Sequence, residues 1–212
     1  MSSSSLLRLG GLAGVMAGVL ALIPDIMDVY LIDAYQTVEL NRAYLTTGTH
    51  AFQSTLRMLV FVLLLPLGLV ALYARQAEAT GALGLLGFVV AFTGTVLVAG
   101  FAWVDTFVAP ELATSAPRLF EAGPPPGRSL SFVVFGVGWA LFGLASLVGR
   151  VYPSRAAILL IIGAIIGTVV TLTFPPVPLG WLPFEAAVAL LGVALLTGWG
   201  GSAASGQPSR VS

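Results

Sequence analysis

The sequence predicts an all-α integral membrane protein, a bundle of about six transmembrane helices with both termini on the cytoplasmic side. Three observations predict it. Hydrophobic residues make up 58% of the 212 and charged residues only 8%, against about 25% charged in soluble domains. Mean hydropathy is +1.00. The apolar residues fall into runs close to the ~20 residues that a helix needs to cross hydrocarbon. A soluble fold could not cover its surface with so few charges. The chain has no cysteine, which excludes a disulfide framework. A net charge of zero gives no bulk attraction to nucleic acid.

The first span is read over 6–24. Arg8 before an apolar stretch resembles a signal peptide, but Pro24 and Asp25 follow where small cleavage-site residues would stand. The next spans are 51–74, with a kink expected at Pro66, then 81–103, 130–149, 156–174 and 182–199. Residues 1–5 and the small, polar segment 200–212 are expected to be disordered, the latter as a cytoplasmic tail. Residues 1–199 thus form one membrane domain.

Arginine placement sets the orientation. All nine basic residues are arginine, which together with the Ala, Gly, Leu and Val content points to a GC-rich bacterial genome. With the N-terminus inside, Arg8, Arg75, Arg150, Arg155 and Arg210 lie in the cytoplasm. Eight of the nine acids then lie outside: Asp25, Asp28, Asp33, Glu39, Asp105, Glu111, Glu121 and Glu185. Trp103 and Trp181 serve as outer interface anchors and Tyr73, Tyr152 and Trp199 as inner ones. Trp139 falls mid-span, where its indole N–H needs a partner.

Two long connections lie outside. Segment 24–46 reads as one amphipathic helix on the outer surface. Pro24 would stand at its first position, with Asp25, Asp28, Gln36 and Glu39 on one stripe and Met27, Leu31, Ala34, Val38 and Leu45 on the other. Residues 107–121 read as a short interfacial helix starting at Pro110, followed by the stiff GPPPG segment.

Small residues recur at four-residue steps: Gly10, Gly14 and Gly18 in the first span, and Gly163 and Gly167 in the fifth. Such rows let helix backbones approach closely, within the bundle or, for helix one, against a second copy or a membrane partner. The segment 68–75 (GLVALYAR) is echoed by 143–150 (GLASLVGR), either as a parallel repeat of the kind found in some transporters or as chance likeness of apolar sequence.

Chemistry has few places to live. With one histidine, His50, and no cysteine, no metal site of imidazoles and thiolates can form. No phosphate-binding or dinucleotide loop and no hydrolase motif occurs. Neither a catalytic residue, a metal nor a cofactor is therefore expected. The remaining candidate is a polar site at the outer end. Arg57 stands about 10 Å into its span, where a charge is costly and usually paired. Snorkelling to headgroups is one fate for it; pairing with Asp25, Asp28, Asp105 or Glu185 is the other. The inner half offers almost no polar group from which to build a site.

The stretch GLVALYARQAEATGALGLLGFVVAFTGTVLVAGFAWVDTFVAPELA, residues 68–113, resembles uncharacterised multi-spanning membrane proteins of high-GC bacteria. That resemblance implies a bacterial inner-membrane, multi-pass protein and carries over no catalytic residue. The expected function is non-enzymatic, as a subunit, scaffold or sensor partner in the lipid bilayer. The alternative is a small transporter or channel for a cation, proton or small solute, with an acidic outer vestibule.

Overall fold

The computed structural model describes residues 3–120, 126–173 and 179–198, which are almost entirely helical and contain no strand. In chain order they form α1 (Ser3–Tyr30), a 3-10 turn (Ile32–Tyr35), α2 (Val38–Leu45), α3 (Gly48–Leu59), a π-helical turn (Val60–Leu64) and α4 (Leu65–Phe107). There follow α5 (Ala109–Ser115), a second 3-10 turn (Pro117–Phe120), α6 (Pro126–Gly149), α7 (Ser154–Thr173) and α8 (Leu182–Thr197). Among the described residues four helices are long and apolar enough to cross a membrane: Ser4–Tyr30, Gly48–Phe107, Pro126–Gly149 and Ser154–Leu172. The apolar Leu182–Thr197 is shorter.

The run Gly48–Phe107 is 60 residues long, and it is bent double. A straight helix would hold His50 and Asp105 about 80 Å apart at 1.5 Å per residue, yet His50 Nε2 lies 3.1 Å from the Asp105 carbonyl oxygen. The fold-back occurs at Gly81, whose φ of 52° and ψ of −136° interrupt the helix. Only glycine occupies that region without strain. On either side of it Tyr73 stacks on Phe88 with ring centroids 4.3 Å apart. The connection expected between the spans 51–74 and 81–103 is therefore helix up to the glycine itself. The kink expected at Pro66 takes the form of the π turn just before it. Proline has no N–H to give and its ring crowds the carbonyl four residues back; one wide turn relieves that conflict.

Small residues close the bundle. In α1, Gly14 lies against both Gly68 of the first α4 arm and Gly192 of α8. A methyl on Gly14 would sit 3.3 Å from the Gly192 Cα, and one on Gly68 would sit 3.3 Å from the Gly14 Cα. Gly10 faces Ala71, and Gly18 faces the backbone of Glu185 and Ala189. Gly163 and Gly167 of α7 receive Phe184 and Trp181. Gly87, Ala91 and Gly94 of the second α4 arm interleave with Phe142, Gly138 and Phe135 of α6. The helices thus make a closed circuit: first α4 arm, α1, α8, α7, α6 and second α4 arm. Trp139, Phe135, Phe142, Phe184 and Trp181 pack edge-on or tilted inside it. The glycine row of helix one is spent on contacts within the chain. The two echoing segments meet different partners, Gly68 against α1 and Gly143 against Ile161 and the Ala157 carbonyl of α7.

Outward-facing positions are apolar on every long helix. Leu12, Met16 and Val19 in α1, Leu85, Leu86 and Val89 in α4, and Ile158, Ile162 and Ile165 in α7 are all exposed. Surfaces of that extent on a soluble monomer would drive association; a lipid environment accounts for them. The antiparallel packing gathers Arg8, Arg75, Arg150 and Arg155 at one end, the arginine end. Asp25, Asp28, Asp105 and Arg57 lie toward the other, the acidic end.

Several expectations are corrected. Segment 24–46 is not one amphipathic helix. Pro24 lies inside α1, which runs on to Tyr30, and only Val38–Leu45 forms a separate helix after the 3-10 turn. The proline removes the N–H that would have bonded the Leu20 carbonyl, a loss that membrane helices tolerate; Gln53 Nε2 donates to the Pro24 carbonyl itself at 3.0 Å and so ties α3 to α1 at this level. Residues Ser3–Ser5 are helical. Helix α5 begins at Ala109, one residue before Pro110. Pro126 and Gly127 of the GPPPG segment open α6. Tyr152 is buried and donates to the Leu72 carbonyl at 2.7 Å, so it packs inside the bundle and does not anchor an interface. The 200–212 tail, Trp199, Glu121 and most of 175–181 lie outside the described residues.

Candidate polar site at the acidic end

Asp28, on the last turns of α1, is the hub. The 3-10 turn and α2 return the chain over the end of α1, with Thr37 capping α2 by accepting from the Leu40 N–H at 3.2 Å. Thr47 caps α3 in the same way, accepting from the His50 N–H at 3.2 Å. Helix α3 then descends beside α1, which places Gln53 and Arg57, four residues apart, on the face toward Asp28.

Arg57 Nη2 lies 2.5 Å from Asp28 Oδ2. The other oxygen, Oδ1, accepts from Tyr35 Oη at 2.9 Å and from Gln53 Nε2 at 3.1 Å. The Tyr44 hydroxyl donates to Gln53 Oε1. Tyr35 and Tyr44 meet edge to face at 5.5 Å, and Tyr44 meets His50 at 5.2 Å. His50 in turn donates to the Asp105 main-chain carbonyl, tying α3 to the end of the second α4 arm. Burial pushes the Tyr35 phenol above the usual tyrosine range and the negative charge of Asp28 adds to it; Tyr44 is also raised, chiefly by burial. Both hydroxyls therefore keep their protons and act as donors.

The five charged residues expected at a polar site divide. Arg57 points inward to Asp28, so pairing and not snorkelling is its fate. Asp25 and Glu185 lie within hydrogen-bonding reach of each other at the crossing of α1 and α8. Asp105 stands within electrostatic reach of His50, Arg57 and Arg128, and its carbonyl holds His50. Sequence reasoning missed Tyr35, Tyr44, Gln53 and His50. Gln53 carried a usable signal, a large amide just inside an apolar run.

The arginine end is more polar than expected. Ser146 Oγ donates to Gln76 Oε1 at 2.6 Å, with both residues fully buried. Arg75 donates to the carbonyls of Ala194 at 2.7 Å and Gly198 at 3.3 Å, at the C-terminus of α8, and lies over the Tyr152 ring at 5.5 Å. A cation there satisfies carbonyls that the helix leaves open. Mid-bundle, Trp139 Nε1 donates to Thr95 Oγ1 at 3.1 Å, which supplies the partner its indole needs.

Among the described residues no group of three or more His, Cys, Asp or Glu side chains is placed to hold a metal ion. No protein-family model, curated protein or solved structure matches the chain. Nothing in those comparisons or in the site geometry indicates enzymatic chemistry.

Proposed function

We propose that this is a multi-pass protein of the bacterial inner membrane, crossing six times with both termini in the cytoplasm. It works without catalysis, as a membrane-embedded subunit, scaffold or sensor partner. The two arms of the Gly81 hairpin count as separate crossings and α8 as the sixth. The orientation rests on Arg8, Arg75, Arg150 and Arg155 sharing one end. The observation that carries the functional reading is the engagement of both oxygens of Asp28 within the chain. Both its oxygens are taken by Arg57, Tyr35 and Gln53 of the same chain. Such a clasp fixes α1, α3 and the α2 segment in one arrangement and presents a defined outer surface. It leaves Asp28 one of its roughly four acceptor positions, too few to hold a travelling solute without breaking the clasp.

A second reading, a small transporter or channel for a proton, cation or small solute, is favoured by one observation: Arg57 points into the bundle toward acids and not outward to lipid headgroups. Reconstituted vesicles separate the two. Flux of a tested ion or solute that Arg57→Ala abolishes supports the second reading, and no flux supports the first. Orientation is tested by a cysteine introduced as Glu78→Cys in the otherwise cysteine-free chain. Labelling by an impermeant reagent only after the membrane is opened is expected; labelling from outside intact cells overturns it.

A further inference from the structure

The guanidinium of the Asp28–Arg57 clasp bonds Asp28 and neither Asp25 nor Glu185. Glu185 stands in the first turn of α8 with only 5% of its surface exposed, at the level where α8 crosses Gly18 of α1. Asp25 reaches it from α1. Glu185 Oε2 is buried and receives no hydrogen bond. Two ionised carboxylates are acceptors only. Set against each other away from water, they repel and neither can satisfy the other. A single hydrogen turns that repulsion into an O–H···O⁻ bond, the short and strong charge-assisted kind.

The other charged groups do not supply a donor to Oε2. On α1, Asp28 adds a further negative charge. On α3, Arg57 attracts both acids electrostatically while its guanidinium is bonded to Asp28. Helix α7 carries no ionisable residue except Arg155, at its other end. A divalent cation is a poor substitute, because hard cations take six or more oxygen ligands and this crossing brings only two carboxyls together.

The geometry points to a proton-binding site at the crossing of α1 and α8, where the Asp25 and Glu185 carboxyls hold one proton between them. While it is bound, the O–H···O bond joins the first turn of α8 to α1. When it leaves, two negative charges face each other across a contact built from glycines, and the helices are pushed apart at this end. Proton activity in the adjacent aqueous phase is thereby coupled to the α1–α8 contact. The site is the same for either orientation of the chain and for either reading of its function.

Infrared difference spectroscopy of the full chain in lipid bilayers, titrated with pH in sodium and in potassium buffers, tests it. The expected result is a protonated-carboxyl C=O band at neutral pH that disappears on alkalinisation. That band is absent in both Glu185→Gln and Asp25→Asn and retained in the surface control Asp33→Asn. The amide variants carry their own N–H and so supply the missing donor; their thermal midpoints are expected to lose the decline that the native chain shows as pH rises above about 4, and to keep the separate decline above a pH of about 10 that belongs to the buried tyrosines. Absence of the band from the native protein at neutral pH overturns the proposal, and this needs no variant to fold. So does a band that survives both substitutions, or one that sodium removes at constant pH, which would mark a cation site.

Discussion

Asp28 Oδ2 and Arg57 Nη2 are 2.5 Å apart although 29 residues separate them along the chain. The pair closes the acidic end by joining α1 to α3. Removing one partner of a buried pair leaves the other charge uncompensated, at about 3–5 kcal/mol. Arg57→Ala should fall near the lower end, because a quarter of its side chain remains exposed. Asp28→Ala should cost more, since Tyr35 and Gln53 lose their acceptor as well. Thermal unfolding of the two variants in the same detergent checks the order.

The Trp139–Thr95 bond predicts an asymmetry. Trp139→Phe removes the donor, and Thr95 Oγ1 still donates to the Ala91 carbonyl at 2.7 Å. Thr95→Val strands a buried indole N–H, which costs about 1–3 kcal/mol, more than the ~1 kcal/mol of an ordinary hydrogen bond. Loss of aromatic packing adds to the Trp139→Phe value, so the diagnostic is the indole environment. Its near-ultraviolet signal should shift in Thr95→Val.

Gly81→Ala should destabilise by about 1–3 kcal/mol from the backbone alone. A methyl there meets nothing within 4 Å, so crowding contributes nothing. D-alanine introduced at the same position by semisynthesis should restore the native midpoint.

Gly192→Leu should be more damaging. A methyl at this position already sits 2.7 Å from the Gly11 carbonyl oxygen, and overpacking of this kind costs about 1–3 kcal/mol or more. Crosslinking between cysteines placed at Val15 and Leu191 should fall as α8 is forced off α1.

Tyr35 gives a pH signature. Its phenol is held above its unfolded value by burial first and by Asp28 second. As pH rises past about 10, the unfolded chain loses this proton while the native one keeps it. Stability is therefore full below that pH and declines above it. Tyr35→Phe should flatten that part of the alkaline stability profile.

The apolar runs were legible because a length near 20 residues is a physical requirement of the bilayer and leaves a composition signal. Arg57 was legible for the same reason, as a charge inside an apolar run; Asp25, Asp28, Asp105 and Glu185 were legible only as acids on its outer side. The identity of Arg57's partner was not, because it depends on how α3 is rotated. Pro24 misled because its preference for a first helical position comes from helices in water, whereas a membrane helix runs through it. Gln76 and Ser146 escaped notice because each alone is unremarkable; only the α4–α6 packing brings them together. Gly81 lay at the start of an expected span, and nothing in composition distinguishes a glycine that ends a helix from one that packs inside it.

The π turn at Val60–Leu64 makes this arm sensitive to where its residue count is changed. Below it, Gly68 must face Gly14; above it, Arg57 must face Asp28. Each residue of an α-helix advances the chain by about 100°. Deleting one residue between 65 and 67 would leave the run as apolar as before. It would also swing Arg57 by roughly that angle away from its acid. Hydropathy would score such a deletion as silent, yet it would unfasten the clasp. The wide turn itself holds one residue more than a regular turn, so the same deletion between 60 and 64 should restore a regular helix, keep both faces in place and be far better tolerated.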